Sequence, residues 1–259
     1  MLSVVDLDVT YPSGQRAVRG VTFDVPAGQV LALIGGNGAG KSTTMRVAAG
    51  VTPPTAGIVT VSGNDVTGTH SADRARRLTG YCPDVAGLPR QLTIRECIGL
   101  ALATTDSLDR WPAALALAEK FDVARVLDSP TGSFSHGMAR RTSALLAVLT
   151  ARDLLLLDEP FDGVDALGVQ VISEAIATAK DAGLAVVVST HLLDVATTVA
   201  DRALVMRNGE VVADVLAADL RNGHGRDRYA HLLDGTPAPR PPRRTLRQRL
   251  GRALLGADA

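Results

Sequence analysis

The sequence predicts an α/β fold built on a mainly parallel sheet, with an antiparallel β subdomain near the N-terminus and a helical subdomain inserted between strands. Three observations carry this. The runs QVLALIG (29–35), DLLLLDEP (153–160) and LAVVVSTH (184–191) are short and almost continuously apolar, as strands covered on both faces must be. Segments with helical spacing alternate with them. The N-terminal LSVVDLDV (2–9) and VTFDV (21–25) instead alternate apolar and polar residues, as strands covered on one face do.

Each element can be justified in turn. Pro26-Ala27-Gly28 turns the chain from the alternating strands into the first buried run. A helix continues through TTMRVAA after Lys41 and stops at Gly50, and Pro53-Pro54 break the pattern. GIVTVSG (57–63) reads as an edge strand. From about 88 to 150, Leu, Ala and charged residues recur at helical spacing, as in ECIGLALA and PAALALAEKF, where Pro112 suits a first helical turn. LGVQVISEAIATAKDAG carries apolar residues at 167, 171, 172, 175, 176 and 179 on one helical face, with Gly183 just past its end. ALVMRNGEVVADV (203–215) sets Asn-Gly between two apolar runs, a hairpin signal.

The expected domain spans 1–235. Prolines at 237, 239, 241 and 242 open a tail, 236–259, as an extended linker. Inside it, TLRQRLGRALL places Leu246, Leu250 and Leu254 on one helical face among arginines. Two readings of the tail stay open: contact with anionic lipid or a membrane partner, and a solvated, disordered end.

The composition sets bounds. With 259 residues, 46% of them apolar, the chain can bury a sizeable core. Net charge is formally zero but uneven: residues 236–259 hold six Arg and one Asp, and the rest hold 21 basic against 26 acidic residues. Cys82 and Cys97 have neither zinc-site nor CxxC spacing, so free thiols in a reducing compartment are expected. No apolar run approaches the ~18–20 residues of a membrane span. MLSVVDLDVT has no basic and apolar leader pattern. The expectation is a chain soluble by itself or peripheral to something else. Twenty-four Arg against three Lys, with abundant Ala, suggest a GC-rich bacterial genome.

The chemistry is concentrated at the ends of the buried runs. GGNGAGKST (35–43) fits G-x-x-x-x-G-K-[ST] through Gly35, Gly40, Lys41 and Ser42, and it lies between a buried strand and a helix. Bare backbone lets N–H groups converge on a polyphosphate, and the helix N-terminus adds partial positive charge. Lys41 reaches the β- and γ-phosphates, and Ser42 ligates Mg²⁺. Gly35, Asn37, Gly38, Gly40, Lys41, Ser42 and Thr43 are the expected nucleotide contacts of a P-loop NTPase core. LLLLDEP then ends a buried strand on two acids. Asp158 is placed to hold Mg²⁺, directly or through water, and Glu159 to polarise a water for attack on the γ-phosphate. The third buried run delivers His191 at its C-terminal end, where open parallel sheets place ligands.

These residues in this order, with FSHGMARR (134–141) between them, resemble the nucleotide-binding subunit of an ATP-binding-cassette (ABC) transporter over about residues 2–220. The resemblance implies several roles. Phe134-Ser135-His136-Gly137-Met138 stands where the family has its L-S-G-G-Q signature, a helix start that caps the γ-phosphate of an ATP held by the other protomer. Ser135 and Gly137 keep those roles; His136 and Met138 depart from the consensus. Tyr11 matches the aromatic that stacks on adenine. Asp84 stands where the family has a Gln beside Mg²⁺ and the membrane partner; a carboxylate can still ligate Mg²⁺ but is shorter and donates no hydrogen bond when ionised. Asp165 is the acid of FDGVD, the loop that crosses to the other protomer. His191 matches the switch histidine.

The function implied is ATP hydrolysis that powers export, through a separate membrane-spanning permease subunit and a second ATPase subunit, as a homodimer at the cytoplasmic face of a membrane, with ATP and Mg²⁺ and no nucleic acid. Asp84 and the S-x-G-M signature resemble the drug, polysaccharide and lipid export branch. Two alternatives stay open within the family: an importer ATPase, and a soluble cassette acting on ribosomes or nucleic acid. A P-loop kinase, outside it, leaves the signature segment and His191 without a task.

Overall fold

The structure, a computed structural model, describes residues 1–68 and 70–221 together with residues 227, 229 and 231. The expected tail, 236–259, lies outside them. In chain order the elements are β1 (Leu2–Thr10), β2 (Arg16–Val25), β3 (Val30–Ile34), α1 (Lys41–Ala48), β4 (Ala56–Val61), β5 (Asn64–Asp65), α2 (Ser71–Leu78), β6 (Thr79–Cys82) and α3 (Ile94–Thr104). They continue with α4 (Trp111–Lys120), α5 (His136–Thr150), β7 (Leu154–Asp158), α6 (Ala166–Asp181), β8 (Ala185–Thr190), α7 (Leu193–Val199), β9 (Arg202–Arg207) and β10 (Glu210–Leu216).

Two sheets form. One, in the order β2-β1-β4-β5, is antiparallel throughout. The other, β10-β9-β3-β8-β7-β6, is parallel from β9 to β6 and gains β10 as an antiparallel edge. The continuously apolar runs are its central strands, and every residue of β3, β7 and β8 is buried. Their side chains divide between two cores, as period 2 demands. Val30, Ala32, Ile34, Leu155 and Leu157 face the helices α3 to α7. Leu31, Leu33, Leu154 and Leu156 face α1 and the antiparallel sheet. A strand buried on both faces is apolar along its length, and β7 and β8 turn polar only at their C-terminal ends, Asp158, Ser189 and Thr190, which is why these runs read as unbroken until they reach the site.

The local signals hold where their chemistry is strong. Pro112 lies in the first turn of α4. α3 starts in a capping box, with Thr93 Oγ1 accepting from Glu96 N and Glu96 Oε2 accepting from Thr93 N. Asn208 (φ 51°) and Gly209 (φ 84°) make the two-residue turn between β9 and β10. Cys82 and Cys97 are both free and buried.

GIVTVSG is not an edge. β4 pairs with β1 over most of its length and with β5 at Thr60 and Val61, so the edge passes to β5. The cause is a tight turn at Ser62 (φ 48°) and Gly63 (φ 77°), which folds Asn64 and Asp65 back. The short elements α2, β6 and α7 carry too few residues for a clear period, and the sequence pattern does not reveal them.

Parallel register decides what meets at the sheet's C-terminal edge. Ile34 lies beside Thr190, Asp158 beside Ser189, and Cys82 beside Leu157. The loop after β3, the acids ending β7, His191 after β8 and Asp84 after β6 therefore emerge together.

Candidate active site

The loop from Gly35 to Gly40 needs its glycines for space and for conformation. A Cβ on Gly35 would come within 2.4 Å of Met206 O. Gly40 sits at φ 102° and would bring a Cβ to 2.7 Å from Ala17 O. The helix that follows starts at Lys41 with no side-chain cap and no acid in its first turn. Its first N–H groups have no partner in the helix, and its dipole faces the loop. Such a helix start accepts an anion.

Lys41 is buried and folded inward. Its Nζ donates to Gly35 O at 2.8 Å and lies 3.1 Å from Glu159 Oε1. The other Glu159 oxygen, Oε2, lies 3.1 Å from His191 Nδ1. Glu159 itself sits at φ 46°, a left-handed conformation that costs a non-glycine residue about 1–3 kcal/mol and turns its carboxylate toward the loop. Its N–H donates to Ser189 Oγ at 2.9 Å, which anchors the turn.

Asp158 lies directly behind, fully buried. Its Oδ1 accepts from Ser189 Oγ at 2.5 Å and from Ser42 Oγ at 3.1 Å. Its Oδ2 is buried without a partner. Burial pushes this carboxyl above the usual carboxylate range; the two serine hydroxyls oppose the shift, and the Asp84 and Glu159 charges add to it. An unpartnered carboxylate oxygen next to a serine hydroxyl is an oxygen donor set that suits Mg²⁺.

A cavity of about 590 Å³ opens in front of these groups. That is within the size range of small-molecule sites. Of the residues singled out by sequence, Tyr11, Asn37, Gly38, Gly40, Lys41, Ser42, Thr43, Asp84, Glu159 and His191 line it. The Tyr11 hydroxyl bonds to Thr43 Oγ1 at 2.9 Å, which fixes the ring at the wall of the cavity. Gly35 lies beneath, as the acceptor for Lys41.

Ser135, Gly137 and Asp165 are not in the cavity wall. Ser135 is the exposed N-cap of α5, its Oγ accepting from Met138 N at 3.3 Å. Asp165 is the exposed N-cap of α6, accepting from Gly168 N at 2.8 Å. The two segments touch: the His136 ring packs on Gly163, where a Cβ would stand 2.5 Å from its Cδ2. The side chain that replaces the signature glycine thus rests against the loop that carries Asp165.

Two residues escaped the sequence reading. Ser189 serves both Asp158 and Glu159, but only strand register reveals this. Arg140 is 1% exposed, donates to Pro83 O at 2.9 Å, and lies 3.6 Å from Asp84 Oδ1.

Comparison with known proteins places the chain in a family. Residues 18–162 match the family model described as ABC transporter. The lipopolysaccharide export system ATP-binding protein LptB of Escherichia coli (strain K12) is 34% identical over 77% of this chain and 84% of its own. ATP-binding cassette sub-family A member 10 of Homo sapiens is 35% identical over 82% of this chain, which spans only 14% of that protein's length. A solved structure of the ATP binding subunit of an ABC transporter superposes with a TM-score of 0.79 at 33% identity, over 85% of this chain and 92% of that one. The chain therefore belongs to the ABC transporter family as one of its ATP-hydrolysing subunits.

Proposed function

We propose that this ATPase powers export across a membrane through a separate membrane-spanning partner, and that it works as a head-to-tail pair of cassettes. The observation that carries the catalytic part is Glu159, strained into the cavity and held between Lys41 and His191 beside the phosphate loop. Among the described residues no helix is long and apolar enough to cross a membrane, so a pore has to come from elsewhere. The likeness to a lipopolysaccharide export ATPase and the Asp84 and S-x-G-M features support export over import.

The residues divide the work. Tyr11 offers a flat face to adenine. Backbone N–H groups of the loop, with Asn37 and Thr43 beside them, hold the phosphates. An incoming γ-phosphate competes with Glu159 for the Lys41 ammonium and frees that carboxylate. Ser42 and Asp158, with Asp84 opposite, would hold Mg²⁺; when bound, Mg²⁺ neutralises phosphate charge. Glu159 accepts the proton of the water attacking the γ-phosphate, so that ADP and phosphate are formed. His191 contacts the γ-phosphate from the end of β8. Ser135, Gly137 and Asp165 serve the nucleotide of the paired cassette, which is why they lie outside their own cavity. ATP favours the closed pair, and loss of the γ-phosphate removes that preference.

Replacing Glu159 by Gln is expected to lower turnover about 10²–10⁴-fold while ATP still binds. Steady-state ATPase and equilibrium ATP binding on the purified variant check this, and near-normal turnover rejects the role. The export reading is tested by mild-detergent pull-down from the native membrane. A polytopic membrane protein in near-equal amount supports it. Ribosomes or nucleic acid in its place turn the reading to a soluble cassette.

A further inference from the structure

Arg140 has no assigned task, yet its side chain is the largest of those fully buried. It belongs to α5, the helix that Ser135 caps. Its Nη1 donates to Pro83 O at 2.9 Å and to Asp158 O at 3.4 Å. Its Nη2 lies 3.6 Å from Asp84 Oδ1, and its Nε is buried without a partner. One cation thus touches three segments: the signature helix, the loop that carries Asp84, and the end of β7 that carries Asp158 and Glu159.

Packing does not account for a guanidinium here. An apolar side chain would fill the slot without the desolvation cost of a buried charge that leaves one N–H unmet. The charge balance of the site does account for it. Four carboxylates border the cavity end of the sheet: Asp84, Asp158, Glu159 and the exposed Asp162. Glu159 has Lys41. Asp158 accepts hydrogen bonds from serine hydroxyls alone, with the Arg46 charge nearby. Asp84, half-exposed, has Arg140. Without that cation, Asp84 would have no paired charge while its own charge acts on Asp158, and two such acids together attract a divalent cation.

We propose that Arg140 is a positioning residue: from inside α5 it holds and neutralises Asp84, so that the acids of the site do not capture a divalent cation before nucleotide brings one. This rests on the reading of the cavity as an ATP and Mg²⁺ site. It deepens that reading, because the neutralising charge is carried by the signature helix. The acid in the glutamine position and the buried arginine are then one device in two parts.

The test measures Mn²⁺ binding, by electron spin resonance, to the nucleotide-free full chain. Arg140→Gln is expected to bind Mn²⁺ about tenfold more tightly than the unaltered protein, because a positive charge has been removed beside the acids. The double variant Asp84→Asn/Arg140→Gln is expected to return to the unaltered affinity. An arginine that merely packs would not raise cation affinity, and its loss would not be reversed at position 84. The proposal is overturned if Arg140→Gln binds Mn²⁺ no more tightly than the unaltered chain, or if the double variant stays as tight as the single one. Should Arg140→Gln fail to fold, Arg140→Met carries the same expectation with an apolar fill. ATP binding by the unaltered chain in Mg²⁺ is measured in parallel. Failure there rejects the nucleotide-site reading itself, separately from the Mn²⁺ result.

Discussion

The phosphate loop and the signature segment are both helix starts, and they are finished to different degrees. At the first, nearly every polar side chain has an internal partner: Lys41 on Gly35 and Glu159, Ser42 and Ser189 on Asp158, Tyr11 on Thr43. At the second, Ser135 and Asp165 are exposed and bond only to the first turn of their own helices. One half of a site is built inward and is complete in a single chain. The other faces outward, with the His136 ring beside Ser135 packed on Gly163 of the loop that carries Asp165. The contrast teaches that the two helix starts differ in kind, one bonded inward around the cavity and the other presenting its caps to solvent, which is the difference the proposed pairing of cassettes would use.

Substitution separates the halves, and the largest effect belongs to the inner one. Replacing Lys41 by Ala removes a cation from the phosphate site and is expected to lower turnover about 10²–10³-fold. Nucleotide affinity of the isolated chain falls with it. Replacing Ser135 by Ala should leave single-chain ATP affinity unchanged and lower stability by about 1 kcal/mol through the lost cap. Calorimetric ATP binding and urea unfolding on both variants check this; equal losses of ATP affinity would erase the distinction.

A smaller effect sharpens the inner half further. Burial raises the Asp158 carboxyl above its ordinary range. A raised carboxyl contributes to stability only while it is protonated, and this contribution is lost as pH rises through the folded-state value. Asp158→Asn, which cannot ionise, should therefore gain stability relative to the unaltered nucleotide-free chain as pH increases from 4 to 8. Thermal unfolding across that range tests the sign, and a constant difference between the two proteins contradicts it.

The same contrast explains what the sequence made legible. The inner half was readable because its residues are adjacent in the chain: Gly40, Lys41 and Ser42 in one loop, Asp158 and Glu159 in one strand end. Buried strands such as LLLLD announce themselves by an unbroken apolar run up to the terminal acid. Ser189 was not readable, since its link to Asp158 exists only once β7 and β8 align in register. Nothing in ARR says which arginine turns inward, so Arg140 could not be singled out. β6 is four residues long and holds a glycine, too little for a period to emerge. The edge assigned to GIVTVSG failed for a related reason: the decisive signal was the Ser62-Gly63 turn, not the strand pattern before it.

The most direct test of the central claim mixes two inactive proteins. Lys41→Ala spoils the inner half and leaves the signature intact; Ser135→Ala does the reverse. Each alone should hydrolyse ATP poorly. Mixed in equal amounts, they should recover activity at roughly a quarter of the unaltered sites, the share that random head-to-tail pairing leaves whole. No recovery, with pairing in the mixture verified by sedimentation, would contradict a site completed across two cassettes.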